Sequence, residues 1–315
     1  MAKVWFMGEA LIDFVPTVSP AGDAFAPRAG GSPFNAAKAA VQAGANAGFL
    51  GAISTDLFGE LLIDDLQAHG VDTSLTPRTD DPCTLAFVAL SGGAARYAFF
   101  NALSATALMK PDPKAFDPAP GDILSFGSIS LIDQPGADNI TAFALAHADN
   151  TMIALDPNAR PSMTPDVDAW RARINAIAAK AGVIRLSDED LEMLAPGQSP
   201  ADYAAERLNE AAGLVVVTLG DKGALGFCRD GAIEVAGQPA EVVDSVGAGD
   251  TLMGGMMAEL LLRDLSSRDA LASLTRDALV DILRYGVTAA AMNCERSGCA
   301  PPKRAEVLQR LENQG

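Results

Sequence analysis

Leu214-Val215-Val216-Val217-Thr218-Leu219 is a nearly unbroken run of leucine and β-branched residues. It lacks the alternation of a half-exposed strand and suits a strand buried on both faces, as in a parallel sheet. The segment before it, Ala201–Ala212, reads as a helix. Farther out, short apolar runs keep alternating with alanine-rich helical stretches. Val4–Gly8, Ala47–Ile53, Ile123–Phe126, Met152–Asp156 and Val183–Leu186 read as strands. Pro33–Ala43, Leu57–His69, Gly136–His147 and Val167–Ala181 read as the helices between them. Pro33 suits a first helical position with Ser32 as N-cap, and Gly70 suits the stop of the second helix. This alternation predicts βαβ units and a doubly wound α/β sandwich.

Two regions break the rhythm. Phe14–Arg28 and Thr84–Asn101 show strand-like segments without a helix, and Ser91-Gly92-Gly93 suits a hairpin turn. Together they predict a small β-sheet standing off the main sheet as a lid. Phe227–Val235, with Arg229-Asp230-Gly231 at its turn, reads as a hairpin at the end of the core sheet. Pro111–Gly121 reads as a loop returning from the lid to the core. The expectation is one domain over residues 1–315, with lid segments near 14–28 and 84–101 inserted in it.

The chain carries 23 basic and 40 acidic side chains, a formal charge of −17. That balance argues against nucleic acid or an anionic membrane as a partner, because phosphate backbones recruit basic surfaces. A small phosphate held by backbone N–H groups remains open. Cys83, Cys228, Cys294 and Cys299 form no Cys-x-x-Cys pair, which fits reduced residues of a cytosolic protein. His69 and His147 are the only histidines and read as surface or capping residues, so acid–base chemistry must rest mainly on carboxylates. The apolar start is broken by Glu9 and Asp13 and reads as a first strand, not a signal peptide. No run of about 18 apolar residues is present to span a membrane. A cytoplasmic protein is expected.

The sharpest motif is Asp244-Ser245-Val246-Gly247-Ala248-Gly249-Asp250-Thr251, followed by the small, apolar run Leu252–Leu262. A glycine-rich loop opening a helix aims several N–H groups at one spot, and the helix dipole favours negative charge there. Asp250 falls in the first turn, where a carboxylate beside an anion cradle can take a proton from a hydroxyl. Taken alone, the loop reads equally well as a tight turn whose glycines allow close packing. Neither a Walker A loop nor a dinucleotide fingerprint is present. Gly30-Gly31-Ser32-Pro33-Phe34-Asn35 is the second motif: paired glycines let a ligand approach the backbone, and Asn35 both donates and accepts, which suits a polyol. The third, Gly8-Glu9-Ala10-Leu11-Ile12-Asp13, ends the first strand, where ligands of open α/β sheets sit. The bland alternatives are a plain strand–turn–helix junction with Asn35 facing solvent for the second and an ordinary loop acid for the third.

In this order the three motifs resemble the PfkB (ribokinase-like) family of carbohydrate kinases. Gly30-Gly31 through Asn35, with Gly44, Gly51 and Gly59, resembles its N-terminal signature, and Asp244 through Asp250 its C-terminal one. The resemblance implies a three-layer α/β/α sandwich with a mostly parallel central sheet and a small β-sheet lid. It implies Mg²⁺-ATP as phosphoryl donor and, in many members, a monovalent cation such as K⁺ beside the anion loop. Asp250 becomes the base, and the N–H groups of Gly247, Ala248, Gly249 and Asp250 the anion hole. Asp13, Gly30, Gly31 and Asn35 become sugar contacts. Val217-Thr218-Leu219-Gly220-Asp221-Lys222-Gly223 is similar to the nucleotide loop, making Thr218, Gly220 and Gly223 nucleotide residues, with Ser187 and Asn293 beside them. Asp156-Pro157-Asn158-Ala159-Arg160 resembles the stretch beneath the phosphates. Lid pairing within the family implies a homodimer.

Gly8 through Pro16 and Gly31 through Asn35 resemble the fructokinase branch, close to the 2-keto-3-deoxygluconate kinase branch. A sugar acid would want a cation, and Arg96 and Arg160 are the candidates. Three positions depart from the pattern. Phe99-Phe100-Asn101 replaces Phe-Tyr-Arg, which favours a neutral hexose. Ser187-Asp188-Glu189-Asp190 replaces Asn-x-x-Glu, leaving the shorter Asp190 to act on the metal's water shell. Ser245-Val246 stands where two threonines are common, with Asp244 beside the cation. The expected reaction is phosphorylation of D-fructose at the 6-hydroxyl. The alternatives are 2-keto-3-deoxygluconate kinase, ribokinase, or a catalytically silent sugar- or nucleotide-binding regulator.

Overall fold

The computed structural model describes residues 1–20, 22–91 and 94–313, with the side chains of residues 89–97 outside the described set. In chain order, strand β1 (Val4–Met7) leads into β2 (Leu11–Ser19), β3 (Gly22–Gly30) and helix α1 (Ser32–Gln42). Next come β4 (Ala47–Phe49), β5 (Ile53–Ser54), α2 (Leu57–Ala68), β6 (Arg78–Thr79), β7 (Thr84–Ser91) and β8 (Ala94–Phe100). The core resumes with β9 (Ile123–Gly127), α3 (Gly136–His147), β10 (Met152–Asp156), α4 (Val167–Ala178), β11 (Val183–Ser187), α5 (Asp188–Leu194) and α6 (Pro200–Glu210). It closes with β12 (Leu214–Thr218), β13 (Gly223–Cys228), β14 (Gly231–Ala236), α7 (Ala248–Leu262), α8 (Arg268–Ala272), α9 (Arg276–Cys294) and α10 (Arg304–Glu312).

Among the described residues, the main sheet runs β14-β13-β12-β11-β10-β9-β1-β4. It is parallel from β12 to β4, and the β13–β14 hairpin adds an antiparallel edge. Both faces are buried, and alternate side chains show it. Val4 and Phe6 of β1, with Leu214 and Val216 of β12, point into a core shared with α1, α7 and α9. Trp5, Met7, Val215 and Val217 point into the opposite core, with α3, α4 and α6. The uninterrupted apolar reading of Leu214–Thr218 follows directly from this double burial. Strand order reverses at β1, with β4 on one side and β9 on the other, so a crevice opens at the strands' C-terminal ends there.

The lid segments pair as expected, in the order β3-β2-β7-β8, although its strands begin earlier, at Leu11, and the turn glycines Gly92 and Gly93 lie outside the described residues. Phe14 stacks on Phe87 at 4.6 Å and meets Phe58 of α2 edge-on, anchoring the lid to the body.

Several local expectations are corrected. Ala47–Ile53 is not one strand: the chain leaves the main sheet after Phe49, and Ile53 pairs with Arg78 instead. Ser32 is not the N-cap of α1; Gly31 is, and the Ser32 hydroxyl is engaged elsewhere. His147 is buried against Phe116 and Phe143, whereas His69 does cap its helix, its Nδ1 lying 2.7 Å from the Asp65 carbonyl. Among the described residues, no helix is long and apolar enough to cross a membrane.

Candidate active site

The loop at residues 244–247 delivers the chain to α7 through Gly247, whose φ of 77° is left-handed. A Cβ at Gly247 would drive into the Cys299 Sγ. Gly249 packs against a guanidinium: a Cβ there would lie 2.9 Å from Arg185 Nη2. The glycines thus serve both close packing and backbone geometry. We expect Gly247→Ala to lower kcat more than tenfold, because strain of about 1–2 kcal/mol combines with a steric conflict that moves the loop. Paired kinetics and melting curves check this, and unchanged turnover would remove the loop from the chemistry. The Ala248 N–H turns back to the Ser245 carbonyl at 3.3 Å, so of the four expected anion-hole donors it is the one spent inside the loop. Gly249 and Asp250 stand in the first helical turn, whose N–H groups find no partner within the helix.

Asp250 is buried and held at both oxygens. The Ser32 hydroxyl donates to Oδ1 at 2.7 Å and Asn35 Nδ2 donates to Oδ2 at 2.9 Å. Burial raises its pKa; Ser32, Asn35, Arg160 and Arg185 oppose that rise. Asn35 Oδ1 is buried without a partner, leaving one acceptor for an incoming hydroxyl.

A cavity of about 510 Å³ opens in front of these groups. Asp13, Gly31, Ser32 and Asn35 line it together with Asn158, Arg160 and Ser187. Gly30 sits behind Asp13, where a Cβ would come within 2.7 Å of its Oδ2. Arg160 Nη1 donates to the side chain and carbonyl of Asn158, at 2.7 and 3.2 Å, and to Ala159 O at 2.9 Å. The backbone of Arg96 lies in β8, and its side chain lies outside the described residues. Asn101 does not enter this cavity: it donates to Asp133 and lines a small neighbouring pocket. Its identity therefore says little about the ligand here.

A second cavity of about 600 Å³ lies beyond the loop, lined by Thr218, Gly220, Gly223, Val242, Leu252 and Val287 among others. Arg185, Ser245, Ala248 and Gly249 line both cavities and mark their junction. Arg185 was not anticipated. It is buried, grips both Asp156 oxygens through Nη1 at 3.0 and 3.1 Å, and donates from Nη2 to Thr218 Oγ1 at 2.9 Å. Among the described residues, Arg160 and Arg185 are the cations lining the cavities, and only Arg185 reaches both.

Three expected site residues bond within the protein. Asn293 is fully buried and faces away from the cavity. Its amide donates to Val246 O at 2.8 Å and accepts from Ala300 N–H at 2.9 Å, bracing the loop from behind. Asp190 accepts from Ala159 N–H at 2.6 Å and Ser187 N–H at 2.8 Å, closing a capping box with Ser187. It holds the Asn158–Arg160 stretch in place with both oxygens engaged. Asp244 accepts from Val246 N–H at 3.0 Å and Gly298 N–H at 2.9 Å, clipping the loop to the C-terminal segment. No cluster of three metal-ligating side chains occurs among the described residues. Glu189 is the exposed carboxylate at the cavity wall, and it suits a divalent cation that arrives on phosphate oxygens.

Burial pushes the Glu9 carboxyl from 4.5 to about 7 and that of Asp13 from 3.8 to about 6. Both folded values exceed the unfolded ones, so the folded state binds more protons between about pH 4 and pH 7. Stability is therefore lost as pH rises through this window. The ligand-free protein should melt higher at about pH 5.5 than at about pH 8, and Glu9→Gln should flatten the trend. A melting temperature that climbs towards pH 8 contradicts the assignment.

The sequence model of the pfkB family carbohydrate kinases matches residues 1–306. A fructokinase of Rhizobium leguminosarum bv. trifolii is 40% identical over 276 residues, covering 86% of this chain and 84% of that protein. Probable fructokinase-3 of Arabidopsis thaliana is 32% identical over 318 residues, 98% of this chain and 90% of that protein. The crystal structure of a fructokinase from Xylella fastidiosa with bound ATP matches with a TM-score of 0.90 at 28% identity, over 99% of this chain and 98% of that one. With the sandwich, the small second sheet and both signature loops in place, the chain belongs to the pfkB family of carbohydrate kinases.

Proposed function

We propose that the protein is an ATP-dependent fructokinase that phosphorylates D-fructose at its 6-hydroxyl. The observation that carries this reading is Asp250: a buried carboxylate, held at both oxygens, in the first turn of α7 at the end of an anion loop. The curated relatives at 40% and 32% identity are named fructokinases, and the related Xylella structure holds ATP. The sugar occupies the cavity of Asp13, Gly31 and Asn35, and the nucleotide the one of Thr218, Gly220 and Gly223. Asp250 takes the proton of the sugar hydroxyl as its oxygen bonds the γ-phosphorus, and the bond to the ADP oxygen breaks with its electrons leaving on ADP. The first-turn N–H groups and Arg185 hold the charge of the transferring group. A divalent cation, bound chiefly by the phosphates near Glu189, would neutralise part of their charge. A K⁺ ion beside Asp244 and a cytoplasmic setting, consistent with four free cysteines, belong to the same reading. So does a homodimer through the lid, whose Val18, Phe25 and Phe100 are exposed.

The cavity favours a neutral sugar over a sugar acid. Asp13, Glu189, Asp190 and Asp250 line it against Arg160 and Arg185, an excess of acids that repels a carboxylate. NMR of the product formed from labelled fructose and Mg²⁺-ATP tests the reading: a monophosphate on the C6 oxygen is expected. Phosphorylation of only some other sugar would refute the substrate assignment and keep the kinase.

A further inference from the structure

We propose that Glu9 is a positioning residue for the base: its carboxylate caps α1 from outside and thereby fixes how Ser32 and Asn35 meet Asp250. The inference rests on the reading of Asp250 as the base. Glu9 follows β1, at the reversal of strand order, and is 1% exposed. Its Oε1 accepts from the Ser32 N–H at 3.0 Å, and its Oε2 from the Ser130 N–H at 3.3 Å. Helix α1 has no cap of its own, since its N-cap is Gly31 and the Ser32 hydroxyl is given to Asp250. A buried side-chain oxygen that accepts from an orphan N–H at a helix start replaces that cap. The fit is close, because a Cβ at Gly31 would stand 2.5 Å from the Glu9 carbonyl oxygen. Through the Ser130 N–H the same side chain holds a turn that contains Ser128, a non-glycine residue with φ of 64°, and whose Ser128 and Ile129 line the sugar cavity. Glu9 thus ties the helix that aims the base to the turn that walls the sugar.

The test is a cycle of Glu9→Gln, Ser32→Ala and the double variant, assayed with Mg²⁺-ATP and fructose after folding is verified by thermal melt. Glu9→Gln should lower kcat about 10- to 100-fold, the scale of a small misplacement of reacting groups, with the KM for ATP unchanged. Because both act on the same carboxylate, the double variant should lose much less than the product of the two single losses. A folded Glu9→Gln enzyme with wild-type kcat, or losses that multiply, overturns the proposal. Should Glu9→Gln fail to fold, Glu9→Asp, which keeps the carboxyl group but shortens the reach, carries the same comparison. Asp250→Asn is assayed alongside. If that variant still turns over, the base assignment falls; if it is inactive while Glu9→Gln is normal, only the role of Glu9 falls.

Discussion

Replacing Asp250 with asparagine should lower kcat by about 10²–10⁴-fold, the usual contribution of a general base, while ATP binding is nearly unchanged. The substitution is chosen because the site can absorb it. Asparagine keeps the shape of the buried side chain. Its new N–H₂ group would face the Asn35 Nδ2 donor, but the Asn35 amide can turn to present its unpartnered Oδ1. Ser32 can still donate to the remaining oxygen. The fold and the second cavity therefore stand, and only proton acceptance is lost. In the wild-type enzyme the active form is the carboxylate, and burial raises the pKa, so kcat/KM should fall as pH is lowered through that raised value. Steady-state kinetics and calorimetric ATP titration check both statements. Near-normal turnover in Asp250→Asn would remove Asp250 from the mechanism.

Arg185→Met should be the most destabilising single change at the site, by roughly 3–5 kcal/mol, the cost of stranding a buried charge. Asp156 lies in the interior and both of its oxygens rest on the guanidinium. Burial already pushes its carboxyl up, with Asp190 and Asp250 adding to the push, and Arg185 is the group that opposes it. Without Arg185, three carboxylates crowd one volume. The double variant Arg185→Met/Asp156→Leu should regain much of the loss, since removing both partners costs less than removing one. Its turnover should stay low, because the cation at the junction of the two cavities is gone. Urea unfolding of both variants decides the matter. A single variant as stable as wild type would mean that the ion pair contributes no stability.

Much of the fold was legible because double burial leaves a plain trace. Leu214–Thr218 has no polar alternation, and Val4–Met7 is apolar on every residue. The anion loop was legible through Gly247 and Gly249, whose missing Cβ atoms bring the loop against Cys299 and Arg185. Three features were hidden for separate physical reasons. Arg185 sits within Val183-Ile184-Arg185-Leu186, and its charge inside an otherwise buried strand was the available signal: such a residue requires a partner, here Asp156. The cap on α1 comes from Glu9, 23 residues away in sequence, so no local pattern reveals it and Ser32 looked like the cap. Asn293 lies elsewhere because helix rotation decides which residues of α9 meet the second cavity; Val287, Ala290, Ala291 and Cys294 do. The case for a neutral sugar likewise moved from Asn101, which bonds Asp133, to the acids lining the cavity.

The most direct test of the central claim is the ratio of kcat/KM for fructose to that for 2-keto-3-deoxygluconate. It is measured by ADP release with Mg²⁺-ATP on the same enzyme preparation, with ribose, tagatose and adenosine as further acceptors. Saturable turnover that prefers fructose over the keto acid by at least about tenfold, equivalent to ~1.4 kcal/mol of transition-state discrimination, is the predicted result. Preference for the keto acid, or no turnover on any acceptor despite sugar binding, would contradict the account.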